Sequence, residues 1–200
     1  MTAFDLQGFR SQLKGDGARP NLFEVQMAMP GTGIATIGTS AADISRNIAF
    51  LCRAASLPGS TMGIATVPFF GREFKLPGNP SYPEWTVTII NDENFTIRNS
   101  FEKWMNALNG HLSNLRDPAG YNSSEYSVDA HVIQYAKGGA SSPTAITANA
   151  GVLKKYKFIG MWPTTVSPIE LGWDTNNQVE EYSVTFAYQW WESTTDGVTS

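Results

Sequence analysis

The chain has 200 residues, a formal net charge of −4, one cysteine and a charged share of 16%, against about 25% in ordinary soluble domains. That length suits one domain with one core, the single Cys52 excludes an intramolecular disulfide and any cysteine-rich zinc cluster, and the small negative charge argues against an adhesive phosphate-binding surface, which needs clustered Lys and Arg. Met1 to Phe9 has neither a basic nor an apolar leader pattern, and no stretch approaches the ~18 apolar residues of a membrane span, so the expectation is a soluble protein folded in a cytoplasm, without membrane insertion.

In chain order, residues 1–19 read as an N-terminal arm, with an apolar set (Phe4, Leu6, Phe9, Leu13) followed by Gly15-Asp16-Gly17. Residues 20–192 then read as the single domain and 193–200 as a polar C-terminal tail. Asn21 to Met27 alternates through Leu22, Phe23, Val25 and Met27 as a half-buried strand does. Residues 28–45 are rich in Gly, Thr, Ala and Ser and read as a loop.

Ile48, Phe50, Cys52 and Ala54 recur with period 2, which predicts a strand ended by Leu57-Pro58-Gly59 and makes Cys52 a core residue. Ser60 to Pro68 and Phe69 to Leu76 form two extended stretches with a break at Gly71, and Pro77-Gly78-Asn79-Pro80 reads as a turn. Trp85 to Ile90 is a further strand. A helix is predicted at about 95–112, because Ile97, Phe101, Trp104, Met105, Leu108 and Leu112 fall on one stripe, with Asp92 or Asn94 as cap and Arg98, Glu102, Lys103 and Asn106 facing outward.

Tyr126 to Tyr135 alternates imperfectly as a strand, and residues 137–151 are low in complexity and read as an inserted loop. Val152 to Gly160 and Tyr182 to Trp190 complete the set; in the latter Tyr182, Val184, Phe186, Tyr188 and Trp190 share one face. The tail beyond Glu192 is expected to fray unless a neighbouring subunit orders it. The fold class is mainly β, a sandwich or barrel with one helix packed on it.

No chemistry emerges. Gly59-Ser60-Thr61-Met62-Gly63 places Thr61 where a nucleophile elbow needs serine, and Gly31-Thr32-Gly33 lacks the third glycine and the following helix of a phosphate loop. His111 and His131 have no cysteine or carboxylate at ligand spacing. Glu180 and Glu181 are adjacent on a strand and point to opposite faces, while Asp92 and Glu93 answer a helix dipole. Six tryptophans raise a sugar-binding β-sandwich as a remote alternative, but Trp104 and Trp190 sit in patterned elements and read as core or subunit contact. The expectation is no enzyme, no cofactor and no metal.

Several phrases, in order, resemble the tail tube protein family of contractile-tailed phages. They are Arg19-Pro20-Asn21-Leu22-Phe23, then Leu51-Cys52-Arg53-Ala54-Ala55-Ser56-Leu57-Pro58-Gly59, and Gly71-Arg72-Glu73-Phe74-Lys75-Leu76-Pro77-Gly78. Trp85 to Asn91-Asp92-Glu93 and Phe101-Glu102-Lys103-Trp104 follow, and the last third adds Gly160-Met161-Trp162-Pro163, Trp173-Asp174 and Glu180-Glu181-Tyr182 through Phe186. These positions are expected to serve fold and assembly.

The resemblance implies two packed β-sheets with a flanking helix, homohexameric rings stacked into a hollow tube, and a barrel continuous across subunits. The implied partners are further copies of the chain, tail sheath, baseplate and tail terminator proteins, and, in the lumen, a tape-measure protein and DNA held without sequence specificity. The implied place is the virion tail, assembled in the host cytoplasm. A mildly acidic lumen would keep DNA from adhering during ejection. The tube of a related injection machine, such as type VI secretion or a headless tail-like particle, shares this architecture and is the alternative.

Overall fold

A computed structural model of the chain describes residues 6–13, 17–31, 34–35, 40–118, 122–137 and 151–194. The arm carries helix α1 (Leu6–Gln12) and leads to strand β1 (Phe23–Met27). Helix α2 (Ala41–Leu51) runs directly into β2 (Cys52–Ala55), followed by β3 (Thr61–Phe69), β4 (Arg72–Ser81) and β5 (Trp85–Ile90). Helix α3 (Thr96–Leu108) and the short α4 (Ser123–Tyr126) precede β6 (Val128–Tyr135), the long β7 (Val152–Val166), β8 (Glu181–Ala187) and β9 (Trp190–Thr194).

Seven strands hydrogen-bond in the order β1-β6-β7-β8-β5-β2, with β9 also on β7; β3 and β4 form a separate two-stranded ribbon. β7 belongs to two layers. Its residues 152–161 pair with β6 and, over Lys155 to Ile159, with β9, whereas Trp162 to Val166 pair with β8. The corner falls at Gly160, with φ +64°, where Ile159 and Gly160 oppose the single Asp129 of β6. An extra residue of this kind bends a strand and sharpens its twist. The two limbs so created face each other, and Trp85 of β5 stacks on Phe158 of β7 with ring centroids 4.4 Å apart.

The core lies between these limbs and under the helices. β5 buries Trp85, Val87 and Ile89, β8 buries Tyr182, Val184 and Phe186, and α3 adds Ile97, Phe101 and Trp104. These are the alternations and the stripe expected from the sequence. The Asp92 carboxylate accepts the Thr96 N–H at 3.1 Å, fixing the start of α3. The Trp104 indole N–H donates to the Tyr126 carbonyl at 2.9 Å, so its polar atom is satisfied inside the core.

Several expectations are corrected. The strand expected through Ile48 and Phe50 is the end of α2, and Cys52 only begins the extended segment. Ile44 and Ile48 are the buried pair, four residues apart on one helix face, and Phe50 points outward. Ser40 caps this helix through the Asp43 N–H at 3.2 Å, so the loop expected over 28–45 ends earlier, at Ser40. Cys52 is half-buried, packed against the core rather than within it.

The turn expected at Pro77-Gly78-Asn79-Pro80 lies inside β4, paired with β3. Chain reversal occurs instead at Phe70 and Gly71, with φ of +46° and +83°, the positive pair that a two-residue hairpin turn demands. Gly78 serves close approach, since a Cβ there would lie 3.0 Å from the Gly63 backbone. A lone ribbon has an open edge on each strand, where the missing N–H of proline costs little.

Helix α3 stops at Leu108 and leaves Leu112 in solvent. The strand expected from Tyr182 to Trp190 breaks at Tyr188 and Gln189, so Trp190 leaves the shared face and is exposed. Tyr126 ends α4 and β6 starts at Val128. Ser193 and Thr194 are paired with Tyr156 and Lys155 in β9 rather than frayed. Of the inserted loop expected at 137–151, residues 138–150 lie outside the described residues, as do 195–200 of the tail.

Candidate assembly surface

The β3–β4 ribbon is exposed over nearly its whole length, with only Gly63 and Gly78 half-covered. It nevertheless carries Met62, Ile64, Val67, Phe69, Phe70, Phe74 and Leu76, with exposures from 42% to 94%. A two-stranded ribbon alone is marginal in water, and a cluster of apolar side chains of this extent marks a surface that another molecule covers. β1, β2 and β9 each pair with a single strand, which leaves edges able to accept another strand.

The positions carried by the family phrases divide between core and surface. Trp85, Phe101, Trp104, Pro163 and Phe186 are buried; Phe23, Cys52, Pro58, Gly78, Asn91, Asp92, Gly160 and Glu181 are half-buried. Pro20, Asn21, Ala54, Leu57, Gly59, Gly71, Lys75, Pro77, Trp173 and Asp174 are exposed. They converge on no single cleft. The ribbon's apolar set was missed in the sequence, although one signal was there: apolar residues at both even and odd positions, without the one-faced alternation of a half-buried strand.

Some of the charged groups are paired. Lys157 meets Asp129 at 2.8 Å, and Asp129 also accepts the Gly160 N–H at 3.2 Å, tying the corner of β7 to β6. Burial pushes the Asp129 carboxyl up, but Lys157 and Gly160 outweigh it and hold the group below the usual carboxylate range. Arg53 pairs with Glu181, and the Asn91 amide donates to Glu180 at 2.9 Å. Glu180 lies just ahead of β8 and both side chains line one shallow cleft with Arg53, which corrects the expectation that they point to opposite faces of a strand.

Burial pushes the Cys52 thiol up to about 11, against a weaker lowering by the Ala54 backbone, which makes it a poor nucleophile. Burial lowers His131 and the neighbouring Lys155 and Lys157 lower it further, so its imidazole is neutral at pH 7. Among the described residues no three His, Cys, Asp or Glu side chains group as metal ligands. No described helix is long and apolar enough to cross a membrane.

The family described as phage tail tube protein matches residues 18–194. The chain belongs to that family. It is 32% identical over 178 residues to tail tube protein gp19 of Enterobacteria phage T4, covering 89% of this chain and 93% of that one. The tail tube protein gp19 of phage T6 gives the same figures, and that of Serratia phage KSP90 is 28% identical over 149 residues, 74% of this chain and 76% of its own.

The tail tube fold recurs in solved structures. The anti-feeding prophage tube-terminating cap superposes with a TM-score of 0.56 at 14% identity, over 90% of this chain and 91% of that one. The sheath/tube terminator of an extracellular contractile injection system gives 0.52 at 12% identity, over 86% and 93%. These likenesses concern the fold. As a tail tube protein the chain is a tube subunit of a contractile phage tail and a structural component of the virion. The matched span takes in every strand from β1 to β9.

Proposed function

We propose that residues 20–192 form a ring-building domain, that six copies close into a ring, and that rings stack into a hollow tube through which DNA passes into the host. The arm (1–19) and the tail (193–200) flank that domain. The observation that carries the reading is the β3–β4 ribbon, whose large apolar side chains have no cover in the single chain. Strand edges left open on both limbs need the same remedy, and identical copies in a closed ring supply it at every position.

On this reading the sheath encloses the tube, and baseplate and terminator proteins meet its ends. The tape-measure protein and then DNA occupy the lumen. The role is structural, with the chain contributing shape, edges and a surface that does not hold a polyanion. Sedimentation and electron microscopy of the purified chain across a concentration series test it. Six-fold rings or tubes are the expected products. A particle that stays monomeric at every concentration, with or without tail partners, contradicts it.

A further inference from the structure

Helix α1 has the sequence LQGFRSQ and is only 7 residues long. An isolated helix below ~12–15 residues is marginal in water, so α1 needs a partner to persist. Leu6, Phe9 and Leu13 lie at i, i+3 and i+7 and form one apolar ridge. The Leu13 N–H closes onto the Phe9 carbonyl at 3.2 Å, which carries the ridge one position past the helix end. Yet these three side chains are 78%, 63% and 41% exposed. The ridge is built and left uncovered.

A concavity of 1370 Å³ lies between α2 and the outer side of β1, β6 and β7. Phe23, Ala49, Phe50, Ile133 and Val152 supply its apolar lining, and none of the lining residues belongs to α1. Phe50 is 80% exposed there, although it belongs to a helix whose other face is core. A seven-residue helix about 10 Å across and about 10.5 Å long fills roughly 800 Å³. The groove therefore has room for α1 together with the side chains that would anchor it.

We infer that α1 of one copy seats its Leu6, Phe9 and Leu13 ridge in the α2–β1–β6 groove of the next copy. The inference rests on the ring reading above. The residues between α1 and β1, 13–22, number ten and reach at most about 35 Å when extended, a span on the order of a small domain's diameter. A contact of donor helix to acceptor groove is heterologous, and it closes on itself when every copy in a ring both gives and receives.

Single-cysteine chains in a Cys52→Ser background test this. One carries Ser11→Cys on α1 and the other Gln26→Cys on the groove wall, both exposed positions outside the apolar ridge. The two are mixed, assembled, imaged and treated with a short bis-maleimide. The expected result is covalent dimer in the assembled mixture and none in the dispersed one. Tubes that form without dimer overturn the docking while leaving the ring reading intact. Failure of either chain to form rings or tubes, alone or mixed, overturns the ring reading and the docking with it.

Discussion

Trp104 shows how one side chain serves both packing and polarity. It is 0% exposed on the inner face of α3 and donates to the Tyr126 carbonyl. Trp104→Ala should cost about 3–5 kcal/mol, from the cavity and the lost contacts; a denaturant melt showing less than about 1 kcal/mol would place the stripe outside the core. Asp129 acts by charge. Its carboxyl is held below the ordinary range, so its stabilisation is present above the unfolded value and fades as pH falls through the folded one. Asp129→Asn keeps an oxygen for the Gly160 N–H but loses the charge. The gap in melting temperature between parent and variant should therefore be open at pH 7 and close below about pH 4. At 43% side-chain exposure the pair is partly screened, and added salt should narrow the same gap. Cys52 gives a third residue-scale check: with its thiol raised to about 11, alkylation at pH 8 should be slow when folded and fast in denaturant.

At the scale of elements, the corner in β7 decides the architecture. Gly160 has φ +64°, and a Cβ there would sit 3.0 Å from Gln189 Cγ. Gly160→Ala should destabilise by about 1–3 kcal/mol, read in a thermal or denaturant melt. A neutral result would mean that the bend does not need glycine. The corner also explains what the sequence could convey. β5, β8 and α3 were legible because each buries one face against one layer, which leaves a clean period in Trp85-Val87-Ile89, Tyr182-Val184-Phe186 and Ile97-Phe101-Trp104. α2 was not, because Ile48, Phe50, Cys52 and Ala54 straddle a junction where helix passes straight to strand, and four apolar residues across such a junction imitate period 2. The break at Tyr188 and Gln189 was hidden for a related reason. β8 and β9 run along the same edge of β7, and the alternation continues while the layer changes.

For the whole molecule, the decisive feature is the excess of apolar surface in places that a single chain leaves open. The ordered phrases from Pro20 to Phe186 made the family legible, but they divide between buried and exposed positions, so they did not reveal where copies meet. The ribbon, the surface proposed for such contacts, emerges only in three dimensions, because Pro77 and Pro80 within β4 read as a turn until Gly63 and Gly78 are seen to bring the two strands together. Replacing Phe70 and Phe74 by Ser should change the stability of the isolated chain by no more than about 0.5 kcal/mol, since both are exposed. The same replacement should abolish assembly. The most direct measurement is electron microscopy of the purified parent chain over rising concentration. Six-fold rings that stack into open tubes are expected; compact single particles at every concentration, unchanged by the addition of sheath and baseplate proteins, would overturn the proposed ring.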